Sequence, residues 1–293
     1  MSPKAGGQGP GARGQGALHA ARRPACSRRQ FLAFGWLPFL QPRRIRLAGA
    51  SFRIVRNGHA TRRYLLIHGN EETARGVLTR HMETHEGIAY LVENHTRNVT
   101  VDSARDLARD SARDSAQLDP NRMFSRVGAE ANLKRLNPGL APERLQAALN
   151  LLDRGRERLV RALVPPKGGL LVALHNNSET YSVMDEVEIS DQTSLREPGD
   201  PHAFFLCTDP MDFAVLKTSP YNVVLQQHAP KQDDGSLSRL AAARGVRYVN
   251  LEVGLGNADR QQEMMRWLSA IGDQPSAFSK TAAPSAGVRW LSF

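Results

Sequence analysis

Cysteine is nearly absent from this chain: Cys26 and Cys207 are the only two in 293 residues. No disulfide framework can be built from them, so the fold must close on a hydrophobic core, for which the length suffices. Long apolar runs are missing too. The stretch Phe31–Leu40 covers about ten residues, and a bilayer span needs about twenty. Two familiar signatures are also lacking. His81-Met-Glu-Thr-His85 has its Glu in the wrong place for the His-Glu-x-x-His metalloprotease helix, and Gly254-Leu-Gly256 lacks the third glycine of a dinucleotide fingerprint.

Acidic residues are missing from residues 1–50, which hold nine Lys or Arg and no Asp or Glu. The formal charge of +10 therefore belongs to this leader. Residues 51–293 carry 30 basic and 29 acidic groups, a near balance that argues against nucleic acid as a partner. Within the leader, Ser27-Arg28-Arg29-Gln30-Phe31-Leu32 followed by the weakly apolar run resembles a twin-arginine export signal. Ala48-Gly49-Ala50 offers small residues for cleavage before Ser51. The expectation is a disordered leader over 1–50, a hydrolase domain over 51–293, no stable membrane insertion, and a periplasmic or extracellular location. The alternative is a cytoplasmic protein with a misassigned start.

From Ser51 onward, short apolar runs alternate with helical patterns. This predicts a single α/β domain with a mixed, mostly parallel sheet covered by helices on both faces. Strands are expected at Phe52–Val55, Tyr64–Ile67, Ile88–Val92, Leu170–Leu174, Ala203–Cys207, Asn222–Leu225, Arg247–Val253 and Val288–Phe293. Helices are expected at Glu71–Thr84, Ala141–Leu163, Pro210–Lys217, Ser236–Arg244 and Asn257–Ile271. Four copies of an Asp-Ser-Ala-Arg-like tetrapeptide begin at Asp102. A period of four is too short for a solenoid, and residues 102–118 read as a surface insertion.

Four segments carry the chemistry. His68-Gly69-Asn70-Glu71 and His175 each follow an apolar strand pattern, and Glu252 ends another. Strand ends are where open α/β sheets gather their ligands. Two imidazoles and a carboxylate form the ligand set of a catalytic zinc, whose fourth position stays open for water. A second carboxylate, Glu252, is placed to move that water's proton. Asn121-Arg122 adds a guanidinium fork suited to a carboxylate.

Together the segments resemble the zinc carboxypeptidase clan, specifically its aspartoacylase and succinylglutamate desuccinylase branch. That branch carries His-Gly-Asn-Glu, Asp-x-Asn-Arg-x-Phe, Leu-His-Asn or Leu-His-Thr, and Glu-x-Gly. Here these stand as His68–Glu71, Asp119–Phe124, Leu174–Asn176 and Glu252–Gly254, over roughly residues 60–275. The resemblance implies His68, Glu71 and His175 as zinc ligands, Glu252 as general base, and Asn121 with Arg122 as holders of the substrate carboxylate. It also implies an arginine that polarises the scissile carbonyl, eight positions before the Asn-Arg arginine. Removing residues 102–118 brings Arg97 to that spacing, with Arg113 as rival. Only about 39 residues follow Gly254, where aspartoacylases carry a β-rich lid domain, and this favours a peptide end over a small acyl-amino acid. The expected function is zinc-dependent hydrolysis of an amide or peptide bond beside a free carboxylate, as a metallocarboxypeptidase or an N-acyl amino acid deacylase. A non-catalytic module binding peptide carboxylates on the same fold is the alternative.

Overall fold

A computed structural model describes residues 43–59, 61–102, 115–178 and 180–272. The twin-arginine-like segment, Cys26, Arg113 with the tetrapeptides between 103 and 114, and the strand expected at Val288–Phe293 lie outside the described residues. In chain order the strands are β1 (Arg44–Leu47), β2 (Ala50–Asn57), β3 (Arg63–Leu66), β4 (Gly87–Val92), β5 (Val99–Asp102), β6 (Ser115–Leu118), β7 (Leu171–Asn177), β8 (Gln192–Ser194), β9 (Phe204–Cys207), β10 (Asn222–Leu225) and β11 (Tyr248–Gly254). The helices are α1 (Glu72–Thr84), α2 (Arg126–Leu136), α3 (Pro142–Leu163), α4 (Met184–Val187), α5 (Pro210–Leu216), α6 (Leu237–Ala243) and α7 (Ala258–Ala270).

Nine strands form one mixed sheet in the order β1-β2-β4-β3-β7-β11-β9-β10-β8. Its centre, β4-β3-β7-β11, is parallel, and β9 pairs parallel with β10. The pairs β1–β2, β2–β4, β9–β11 and β8–β10 are antiparallel. Half of the eight pairings are therefore antiparallel, and the sheet is mixed without being mostly parallel. The flanks account for this: β1 returns directly into β2 as a hairpin, while β2, β8 and β9 run against their non-consecutive neighbours β4, β10 and β11.

Alternation along the strands divides the core in two. Leu65, Ala173, Phe204 and Tyr248 face one side and pack with Leu149, Leu152 and Leu163 of α3 and Ala241 of α6. Tyr64, Val172, Phe205 and Val249 face the other and pack with Leu78 of α1, Phe213 of α5 and Met264 of α7. In α3 the buried positions Leu145, Ala148, Leu149, Leu152, Leu159, Val160 and Leu163 recur at three- and four-residue steps, and Pro142 opens the helix where its missing N–H costs nothing. Arg247 stands just before β11 and forms a buried bidentate pair with Asp212 of α5, at 2.6 and 2.8 Å. It pins the start of the strand that carries Glu252. No described helix is long and apolar enough to cross a membrane.

Two expected boundaries change. The sheet begins at Arg44, not after Ala50: β1 pairs with β2, and Leu47 and Ala50 are buried in the core. The repeat does not begin and end outside the fold either. Ser115–Leu118 form β6, antiparallel to β5, with Ala116 and Leu118 buried. A chain beginning at Ser51 loses β1 and uncovers the edge of β2. Its urea midpoint should fall below that of a chain beginning at Pro42, and equal midpoints would show that β1 adds nothing to the domain.

Candidate active site and metal centre

Three strand ends and one turn build a cleft of about 460 Å³ over the centre of the sheet. His68 follows β3 by two residues, and Glu71 sits at the N-terminus of α1. The chain must turn sharply between them. A side chain on Gly69 would put its Cβ 2.3 Å from the carbonyl oxygen of Asn94, while Gly69 N donates to Thr96 O over 3.0 Å. This close approach delivers Arg97 to the mouth of the cleft. His175 and Glu252 lie on β7 and β11, where parallel register makes them direct neighbours. The residues next to each of them along its own strand point to the opposite face. Asn176 there accepts from Ala74 N at the start of α1, and Gln261 of α7 donates to His175 O. The underside of the site is thus tied to both helices.

His68, Glu71 and His175 are all buried, with one ligand atom from each within 4.8 Å of the others, and this group could hold a metal ion. His68 Nδ1 meets Glu71 Oε1 at 2.7 Å and His175 Nδ1 at 3.2 Å. Glu71 Oε2 lies 3.4 Å from His175 Nδ1, and it is buried without a hydrogen-bond partner. An orphaned carboxylate oxygen is costly in a protein interior. Beside two ring nitrogens it fits a cation.

Asp119 is a member of the site whose role the sequence did not reveal. It begins the turn Pro120–Arg122, and its Oδ1 accepts from Asn121 N while also meeting His68 Nε2, each at 2.9 Å. Asn132 of α2 holds its backbone in turn. Orienting a ligand imidazole through its far nitrogen is a recurrent device of metal sites. Burial works against a charged His68, but Glu71 and Asp119 outweigh it and lift the imidazole to about 9. Glu71 moves the other way: burial would raise it, yet His175 and His68 bring it down to about 2. Burial also disfavours the Asp119 charge, and contact with His68 more than offsets this, holding the carboxylate well below its usual range. Glu252 shifts upward, chiefly through burial, with Glu71 adding to the effect and His175 opposing it.

The remaining expected residues divide into two groups. Arg97 reaches the cleft with Nη1 at 3.6 Å from Glu71 and Nη2 at 3.5 Å from Asp119, and half of its side chain stays exposed. Asn121 and Arg122 also line the cleft, but neither is idle. Asn121 Oδ1 accepts from Leu237 N, and Arg122 Nη1 donates to Asp234 Oδ2 over 2.6 Å. The expected holder of a substrate carboxylate already has a carboxylate of its own, although its Nε and Nη2 make no hydrogen bond among the described residues. Two glycines permit the contact: a Cβ on Gly235, which sits at φ +79°, would fall 2.5 Å from Arg122 O, and one on Gly128 would fall 2.2 Å from Gly235 N. Arg135 and Arg239 are further cations on the cleft walls that the motifs did not indicate.

A scan of family models finds none that matches this chain, and a search of curated proteins finds no match.

Two outcomes follow from the His68 contacts. Asp119→Asn should weaken metal binding by about 10- to 100-fold without removing a ligand, as read by competition with a chelator. In chelator-treated protein, the His68 value lies above its ordinary 6.5, at about 9. Its contribution to stability is therefore complete below about 6.5 and lost as pH rises through about 9. Urea midpoints should fall over that window in wild type and stay flatter in His68→Ala.

Proposed function

We propose that the cleft is the active site of a zinc-dependent hydrolase that cleaves an amide or peptide bond beside a free carboxylate. The observation that carries this reading is the convergence of His68 Nδ1, His175 Nδ1 and the orphaned Glu71 Oε2 next to a second buried carboxylate, Glu252. Two nitrogens bound to one tetrahedral zinc lie about 3.3 Å apart, and the two Nδ1 atoms are 3.2 Å apart. When bound, zinc supplies Lewis acidity and makes water acidic enough to attack near neutral pH.

The chain's own residues supply the rest. Glu252, raised by its burial, takes the proton of the attacking water and passes it to the nitrogen of the leaving amine. Arg97, held at the mouth of the cleft by Glu71 and Asp119, donates to the carbonyl oxygen as negative charge grows there. The free fork of Arg122 receives the substrate carboxylate and fixes which bond lies over the metal. This is the chemistry of the zinc carboxypeptidase clan, with peptide C-termini or N-acyl amino acids as substrates. The twin-arginine-like segment supports an exported enzyme. Because β1 belongs to the sheet, a leader would have to be removed before Arg44.

The test is a panel of peptides with free C-termini and N-acyl amino acids, applied to the zinc-loaded full chain. Glu252→Gln should abolish turnover while zinc stays bound; turnover that survives refutes the base. Zinc in full stoichiometry with no hydrolysis by wild type would leave a carboxylate-binding module. Deletion of residues 103–114 should keep most of the activity, since it spares β5 and β6, whereas Arg97→Ala should lower kcat by about 100-fold. The opposite order would assign the polarising role to Arg113.

A further inference from the structure

Asn250 and Glu252 are two residues apart on β11, so their side chains leave the same face of the sheet. Both line the cleft, and both are buried. Asn250 Nδ2 donates to Glu252 Oε1 over 2.9 Å. A carboxylate only accepts, so this contact settles the orientation of the amide: its NH2 turns toward Glu252 and its Oδ1 away. No other side-chain hydrogen bond reaches Glu252 among the described residues. One carboxylate oxygen is thereby tied down, and Oε2 is left without a hydrogen bond.

The fold itself gains little from this asparagine. Its Oδ1 is buried with no partner, which costs stability. Its register neighbours are Ala173 on β7 and Leu206 on β9, an apolar setting in the middle of the sheet where a β-branched or aliphatic side chain would suit the strand better. A residue that breaks the local rules without a compensating contact points to function. Here the one contact it makes is to the candidate base.

We propose that Asn250 is a positioning residue for Glu252, holding Oε1 so that Oε2 is the oxygen that exchanges the proton. The assignment rests on the reading of Glu252 as general base. Displacing a reacting group by about 1 Å can cost about 100-fold in rate, and a positioning role concentrates that loss in kcat.

The experiment compares wild type, Asn250→Leu and the isosteric Asn250→Asp as full-length, zinc-loaded chains. In both variants kcat should fall by about 10- to 100-fold while KM stays within about twofold and zinc stoichiometry is unchanged. Asn250→Leu should melt close to wild type, because the orphaned oxygen leaves with the amide. A lowered melting temperature with kcat intact, or a change confined to KM, would overturn the proposal. Crystal structures of wild type and Asn250→Leu give a readout free of turnover. A displaced Glu252 carboxylate supports the role, and an unmoved one refutes it. If wild type hydrolyses nothing on the panel, the hydrolase reading fails, and the crystal structures still decide whether Asn250 positions Glu252.

Discussion

His68 is buried and held between two carboxylates. Glu71 takes one ring nitrogen and Asp119 the other, at 2.7 and 2.9 Å. Three charges in such a setting are tolerable only in balance. Without a metal ion, His68, raised to about 9 by these carboxylates, and Arg97 offset Glu71 and Asp119, with Arg97 at the exposed end where solvation costs least. The arrangement joins four groups from three separate parts of the chain. The turn after β3 supplies the imidazole, α1 the first carboxylate, the turn before α2 the second, and the segment after β4 the guanidinium. Moving any of them would leave an uncompensated charge inside the protein.

The sheet beneath this cluster is built to keep it in place. Parallel pairing of β7 with β11 sets His175 beside Glu252, and the same alternation turns Asn176 downward to secure the start of α1. The Arg247–Asp212 pair fixes the start of β11 below. On the upper side, the close contact of Gly128 with Gly235 brings the loop carrying Asp234 against Arg122. The corner that could hold a metal ion is therefore buried and tied to its surroundings, while the opposite wall of the cleft is charged, part-exposed and already engaged with itself.

Much of the frame was legible in the chain. Buried strands such as Asn222–Leu225 and the amphipathic pattern of α3 stand close to where periodicity puts them, because burial on both faces of a sheet leaves a continuous apolar run and a one-sided helix leaves a stripe. The short, half-polar elements were not legible. β1, β5, β6 and β8 have four residues or fewer and α4 is a single turn, and because they mix polar with apolar side chains they show neither a continuous apolar run nor enough positions for a period. The ends of the tetrapeptide repeat show the same limit: Ser115–Leu118 reads as low complexity, yet pairing with β5 makes it a strand.

By itself the sequence determined the candidate site groups and their order, since a His, a Glu, a second His and a second Glu near the ends of apolar runs can be read off one letter at a time. Only the tertiary structure decided which atoms meet. Asp119 on the far side of His68, Asp234 on Arg122 and Asn250 on Glu252 are contacts across 51, 112 and 2 positions. The first two depend on chain segments folded against each other, and the third on a strand geometry that sends alternate side chains to one face. A linear pattern records which groups are available, and the folded chain sets the distances at which their charges act.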